Sequence, residues 1–163
     1  MSFLTFVLPG ICKSYYGYIA VHIETFQSCA DMLKRGFEIG LSTGDTQTAL
    51  LNGIHYIQKS LVSGVNLSVL KKECDYQMRL IDAHSLPMSK MYTSAWQETI
   101  AMLIAKEGSS NLTRSDDVSR VSEFSEALIF HGVLQNFWLG HYDRCLYYAE
   151  RSSASGECEH YID

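Results

Sequence analysis

The chain has 163 residues, of which 47% are hydrophobic and 19% charged, with a formal net charge of -5. That length supports one domain with a sizeable core, and the composition excludes wholesale disorder. The 13 Lys and Arg residues are scattered, with doublets only at Lys34-Arg35 and Lys71-Lys72, so a phosphate backbone finds no basic stripe and no nucleic-acid partner is expected.

In chain order, the apolar start MSFLTFVLPGI lacks the basic n-region and small-residue cleavage site of a signal peptide. Extended to Ile23 it contains Pro9, Lys13 and Ser14, a poor membrane span, so no membrane partner is expected. The expected element is a packed N-terminal helix entered through Pro9. The next stretch, YYGYIAVHI, carries aromatic and branched residues that also suit a strand. The step of three to four through Tyr15, Tyr18 with Ile19, and His22 favours a helix.

From residue 25, Phe26, Cys29 with Ala30, Leu33, Phe37 and Leu41 share one helical face, with Lys34 and Glu38 on the other side. Gly44 fits the stop of this helix and Asp45 the N-cap of the next. That helix aligns Ala49 with Leu50, Gly53 with Ile54, Ile57 and Leu61, and ends at Gly64. Leu67, Leu70, Cys74, Met78 and Ile81 repeat the pattern as far as Ser85-Leu86-Pro87. A fourth stripe runs through Tyr92, Ala95 with Trp96, Thr99 with Ile100, and Leu103.

A polar stretch rich in Ser, Asn and Asp, residues 106–119, reads as a mobile linker. Beyond it, Ala127, Phe130, Leu134, Phe137 and Trp138 mark a further helix, and Gly140-His141-Tyr142 a tight corner. The last helix carries Tyr142, Cys145, Leu146 and Ala149, and the tail 153–163 is expected to fray. No alternating run flanked by hairpin dipeptides occurs, so no sheet is expected.

Helices of roughly 12 to 18 residues joined by short glycine corners make antiparallel hairpins, which bury a continuous core when stacked. Starts near Thr25, Asp45 and Leu67 recur about every 20 residues, giving a helix pair of about 40, close to helical-repeat periods. A four-helix bundle spaces its elements similarly, and the short solenoid is the preferred of the two. The expected fold is therefore all-α, one domain over 1–163, with six or seven helices packed as antiparallel pairs.

At the corners the chain resembles a known repeat. FWLGHYDRCLYYAERS, residues 137–152, looks like the middle of a tetratricopeptide repeat, with Gly140, Tyr142 and a small residue, Cys145, at the close crossing. Cysteine stands where that repeat usually has alanine, and the first-helix Trp-x-x-Leu-Gly signature is out of register. Residues 15–73 resemble the tetratricopeptide-like region that follows the ATPase module in large predicted-ATPase signalling proteins. The shared features are Tyr16-Gly17-Tyr18, the series Gly36, Gly40, Gly44 and Asp45, and Ser63-Gly64 followed by Leu67. The resemblance implies structural corners at Gly17, Gly36, Gly40, Gly44, Asp45, Gly64, Gly140, Tyr142 and Cys145. It also implies a cytoplasmic scaffold that holds a protein partner or neighbouring signalling domains. Neither G-x-x-x-x-G-K-[ST] nor H-R-D and D-F-G occurs, so the ATPase and kinase cores of such proteins are not in this chain.

Candidate chemistry is sparse. Five cysteines at wide spacings include no C-x-x-C and read as free buried thiols in a reducing compartment. His141 and Cys145 stand four apart, but His141 falls in the corner before its helix, so a metal is not expected. Cys158-Glu159-His160 lies in the tail, Asp116-Asp117 and Ser109, Ser110, Ser115 and Ser119 in the linker, and His131 reads as a hydrogen-bonded core residue. No G-x-S-x-G frames a serine, so neither catalysis nor a cofactor is expected. Of eleven aromatics (Tyr15, Tyr16, Tyr18, Tyr56, Tyr92, Trp96, Phe137, Trp138, Tyr142, Tyr147 and Tyr148), roughly a third are expected at a surface. The competing function is a helical sensor whose apolar pocket is closed by Trp96 and the Phe137-Trp138 pair. An array cut from a longer one would also leave an uncapped apolar end, and self-association through it is a further expectation.

Overall fold

The computed structural model describes the backbone of residues 3–106 and 126–156, and the side chains of residues 7–105 and 131–150. It is all-α: seven α-helices and no strand among the described residues. They are α1 (Phe3–Ser14), α2 (Phe26–Thr43), α3 (Thr46–Val62), α4 (Leu67–His84), α5 (Pro87–Lys106), α6 (Glu126–Leu139) and α7 (Tyr142–Gly156). A π-helical turn (Tyr15–Ile19) and a 3-10 turn (Ala20–His22) follow α1, so YYGYIAVHI is helical but not an α-helix. No described helix is long and apolar enough to cross a membrane. The chain divides into two compact units, Met1–Ile100 and Ala101–Asp163.

The boundaries follow from local chemistry. Thr25, Asp45 and Asn66 cap α2, α3 and α4, their side chains accepting from the backbone N–H of Ser28 (3.2 Å), Thr48 (3.1 Å) and Ser68 (2.9 Å). Each cap satisfies one of the donors that a helix N-terminus leaves without an intrahelical partner. The helices stop in left-handed residues: Gly44 at φ 81°, Gly64 at φ 80° and Gly140 at φ 76°. Ser85 does the same at φ 53°, a conformation that costs a non-glycine residue, and Pro87 in the first turn of α5 follows at once. After α3, α4 and α6 the chain closes with bonds from Val65 N to Ser60 O, Leu86 N to Ile81 O and His141 N to Asn136 O. These are Schellman closures.

In the first unit α3 is the central element. Phe37 from α2, Ala49 and Leu50 from α3, and Ile81 from α4 form one core cluster, with Leu41, Met78, Leu80 and Leu86 packed against it. The closest crossing lies between α2 and α3. A Cβ added at Gly40 would sit 2.8 Å from Ala49 Cβ and 3.0 Å from its Cα. One added at Gly36 would meet Asn52 Oδ1 and Cys12 Cβ, each at 2.7 Å. These two glycines therefore lie within α2, where backbones approach, and not at corners as the resemblance implied. α1 is held by Asn52 Nδ2, which donates to Pro9 O at 2.9 Å. Pro9 lies inside α1 instead of at its entry. α4 and α5 are antiparallel, joined by Lys90 to Asp82 (2.8 Å) and Gln97 to Asp75 (2.7 Å).

The second unit begins with the last residues of α5, where Met102 Sδ accepts from Gln135 Nε2 at 3.1 Å. α6 and α7 form a hairpin through Gly140 and His141, and a Cβ at Gly132 would lie 2.8 to 3.0 Å from the Tyr148 ring. α7 continues through Gly156, so residues 153–156 are helical where fraying was expected. The expected linker, after Lys106, and residues 157–163 lie outside the described residues.

Candidate functional site

Gly17 sits in the π turn with its backbone against the ring of His55, where a Cβ would lie 3.3 Å from Cδ2. Next to it the Tyr18 hydroxyl meets His55 Nε2 at 3.1 Å, with the rings edge to face at 4.8 Å. Burial, aided by the nearby Lys59 charge, lowers the His55 pKa to about 4, so this imidazole is neutral near pH 7. Gly44, Asp45 and Gly64 stand at the corners as expected, and Gly140 turns the chain between α6 and α7. Tyr142 opens α7 and is exposed, its ring 6.3 Å from that of Phe137, while Cys145 is half-buried one turn on. At Gly132 a Cβ would meet the Tyr148 ring at 2.8 to 3.0 Å, so an aromatic ring lies against the α6 backbone at this crossing.

Among the described residues the candidate catalytic and metal residues do not gather into one site. His141 is exposed, and its carbonyl accepts the first bond of α7 from Cys145 N at 3.0 Å, which makes it a cap and not a helical ligand. Among the described residues no three His, Cys, Asp or Glu side chains gather where a metal ion would fit. His131 is buried on α6. Cys158, Glu159, His160, the two adjacent aspartates and the linker serines lie outside the described residues. Cys12, Cys29 and Cys74 are buried free thiols. Burial pushes all three up in pKa, Cys74 to about 12, so none supplies a thiolate nucleophile near neutral pH. Trp96 is buried in the first unit, whereas Phe137 is exposed in the second. Of the eleven aromatics, Tyr18, Phe137, Tyr142 and Tyr147 are exposed, close to the expected share.

The feature that single-helix reading missed is a groove between α2 and α4, open to solvent, with a volume of about 480 Å3. The two helices run parallel here, since Lys34 meets Glu73 and Phe37 meets Tyr76. Lys34 Nζ lies 3.3 Å from Glu73 Oε1 and 5.3 Å from the Tyr56 ring centroid. Burial works against the Lys34 charge, but Tyr56 and Glu73 outweigh it and hold the pKa above its ordinary value. Phe37 and Tyr76 meet edge to face at 6.1 Å and, with Leu41, form the apolar part of the lining. Lys72, Arg79 and Glu38 complete it, with Arg79 5.9 Å from the Tyr76 ring centroid.

Lys34 and Glu38 were legible as the solvated side of α2. Lys72, Tyr76 and Arg79 recur at i, i+4 and i+7 on α4, a periodic polar-aromatic face that could have been found beside the buried stripe of Leu70, Cys74 and Ile81.

Two buried polar residues lie in the helix seams. Asn52 satisfies its amide N–H2 on Pro9 O and Thr48 O, each at 2.9 Å, but its Oδ1 has no partner. Gln77 is fully buried over Gly53 with both amide heteroatoms unpartnered.

No protein-family model, curated protein or solved structure matches this chain.

Proposed function

We propose that the chain is a non-catalytic helical-repeat module that docks a protein partner, with the α2–α4 groove as the docking face. On this reading α2–α3 and α4–α5 are consecutive antiparallel pairs of a tetratricopeptide-like array. The first helices of the two pairs stand side by side and line a common groove. The observation that carries the reading is the composition of this groove. A half-open aromatic pair is ringed by charged side chains on two rigid, capped helices, and such sites combine an anchor with orienting charges. Among the described residues the three buried thiols, with their raised pKa values, lend no support to catalysis. A scaffold role within, or related to, a multidomain signalling ATPase rests on the sequence resemblance and is part of the same proposal.

The test compares three forms of the chain in capture from the source cell: unaltered, Tyr76→Ala, and Tyr147→Ala as a control on exposed surface far along the sequence. All three are first matched for helicity and thermal midpoint. The expected result is a partner retained by the unaltered chain and the control but lost by Tyr76→Ala. A partner held equally by all three contradicts the groove as docking face.

A further inference from the structure

We infer that the outward face of α1 and of the turns that follow it binds a second copy of this chain, as an antiparallel two-fold pair. From Val7 to Ile23 this segment buries its small side and shows its large one. Pro9, Cys12, Gly17 and Ala20 are buried against the packed layers. Val7, Ile11, Tyr18, Ile19 and Ile23 face outward and are 38% to 73% exposed. They recur with the helical period through α1 and the π and 3-10 turns, and so form one stripe of roughly 24 Å along the axis. A helix packed on its inner side alone carries polar residues outward, yet here only Ser14 and His22 interrupt the apolar stripe. Gly10 adds an independent sign of close approach. Gly17, Gly36, Gly40 and Gly53 each lie against a neighbouring group, whereas a Cβ at Gly10 would meet nothing within 4 Å among the described residues. Glycine inside a helix weakens it relative to alanine, and no described neighbour requires one here. It leaves the backbone beside the stripe open to another helix.

Charge selects the occupant. Between Phe3 and Phe26 the formal charges are Lys13 and Glu24, opposite in sign and toward opposite ends of the stripe. A two-fold axis passing between Tyr18 and Ile19 brings each Lys13 toward Glu24 of the other copy. Ser28 Oγ donates to that Glu24 carboxylate at 2.7 Å and orients it. The arrangement is self-complementary, as an isologous interface requires. No carboxylate lies between Phe3 and Ile23, so the repulsion between two chains of formal net charge -5 is weakest along this face. An anionic lipid surface would meet one cation and one anion instead of the basic cluster it attracts. The stripe shares no residue with the α2–α4 groove, and the inference stands whether or not that groove docks a partner.

Sedimentation velocity of the intact chain over a concentration series is the test. The expected result is a reversible monomer–dimer equilibrium, weakened about tenfold or more by the double variant Ile11→Glu, Ile19→Glu. Both positions are exposed, and retained folding is checked by circular dichroism. Gly10→Ala should weaken the dimer while leaving helicity equal or higher, a split that a structural role within the monomer does not give. Lys13→Glu and Glu24→Lys should each weaken self-association about threefold or more, and mixing the two variants should restore a dimer of unlike copies. A monomer at every concentration, or a dimer indifferent to the stripe substitutions, overturns the inference. Charge variants that do not recover on mixing overturn the antiparallel register. A monomeric chain that sediments with vesicles of phosphatidylcholine and phosphatidylserine overturns the second copy as occupant in favour of a lipid surface.

Discussion

The hairpins α2–α3 and α6–α7 are built with the same local devices and reach different ends. Each turns through a two-residue corner containing a left-handed glycine, and each brings its helices together at a mid-helix glycine. In the first, Gly40 faces Ala49, backbone nearly on backbone, and α1 and α4 add further layers. In the second, Gly132 faces the edge of a tyrosine ring, and Phe137, Tyr142 and Leu146 remain 56%, 62% and 61% exposed. Corner chemistry thus fixes where a helix stops, while burial depends on what neighbours the hairpin acquires.

The largest difference is expected from truncating the apolar side chains. Ile57→Ala, in the fully buried face of α3, should cost about 3 kcal/mol, because both transfer energy and a cavity are involved. Leu146→Ala on α7 should stay within about 0.5 kcal/mol. Denaturant titration of both variants measures this, and equal losses would remove the contrast between the hairpins.

Adding a methyl at the two crossings sharpens the same point. Gly40→Ala forces a Cβ against the Ala49 backbone and should cost about 2 kcal/mol despite the better helix propensity of alanine. At Gly132→Ala the obstacle is the half-buried Tyr148 ring, which can swing, so the change should be below about 1 kcal/mol. Thermal midpoints of the two variants give the order directly.

A smaller effect, of opposite sign, is expected at the α3–α4 seam. Gln77→Leu removes two buried amide atoms that have no partner and nearly keeps the volume, so a gain of about 1 kcal/mol is expected. A loss by denaturant titration would show that Gln77 contributes through a bonded water instead.

The pH response tests the contact between the π turn and α3. The folded-state pKa of His55 is lowered to about 4 from the ordinary 6.5, so the unfolded chain binds more protons between those values. Stability from this residue is therefore fully present above pH 6.5 and is lost as pH falls toward 4. His55→Gln should flatten that part of the stability profile, and an unchanged profile would remove His55 as its source.

Much of the fold is legible in the chain because its determinants are local. Gly44, Asp45 and Gly64 act through residues within one turn, and the stripe Ala49, Leu50, Ile54 and Ile57 is buried as its spacing requires. What local pattern could not give is pairing between helices. The periodicity places Gly36 and Gly40 inside α2, but the close approach of α3 that they permit leaves no trace in α2 alone, and the corner role that the resemblance implied for them is not what the fold uses. Phe26 reads as core but is 40% exposed, since it opens α2 at the edge of the packed layers, with Lys59 Nζ 5.8 Å from its ring. The groove was illegible for the same reason. Lys34 and Glu73 are thirty-nine residues apart, and only the parallel placement of α2 beside α4 brings them together.

The most direct test of the groove as docking face is site-specific photo-crosslinking in the source cell, with a benzophenone side chain placed either at Tyr76 in the groove or at Tyr147 on α7. The account expects one partner to crosslink efficiently from Tyr76 and not from Tyr147. Crosslinking of that partner from Tyr147 alone would contradict it.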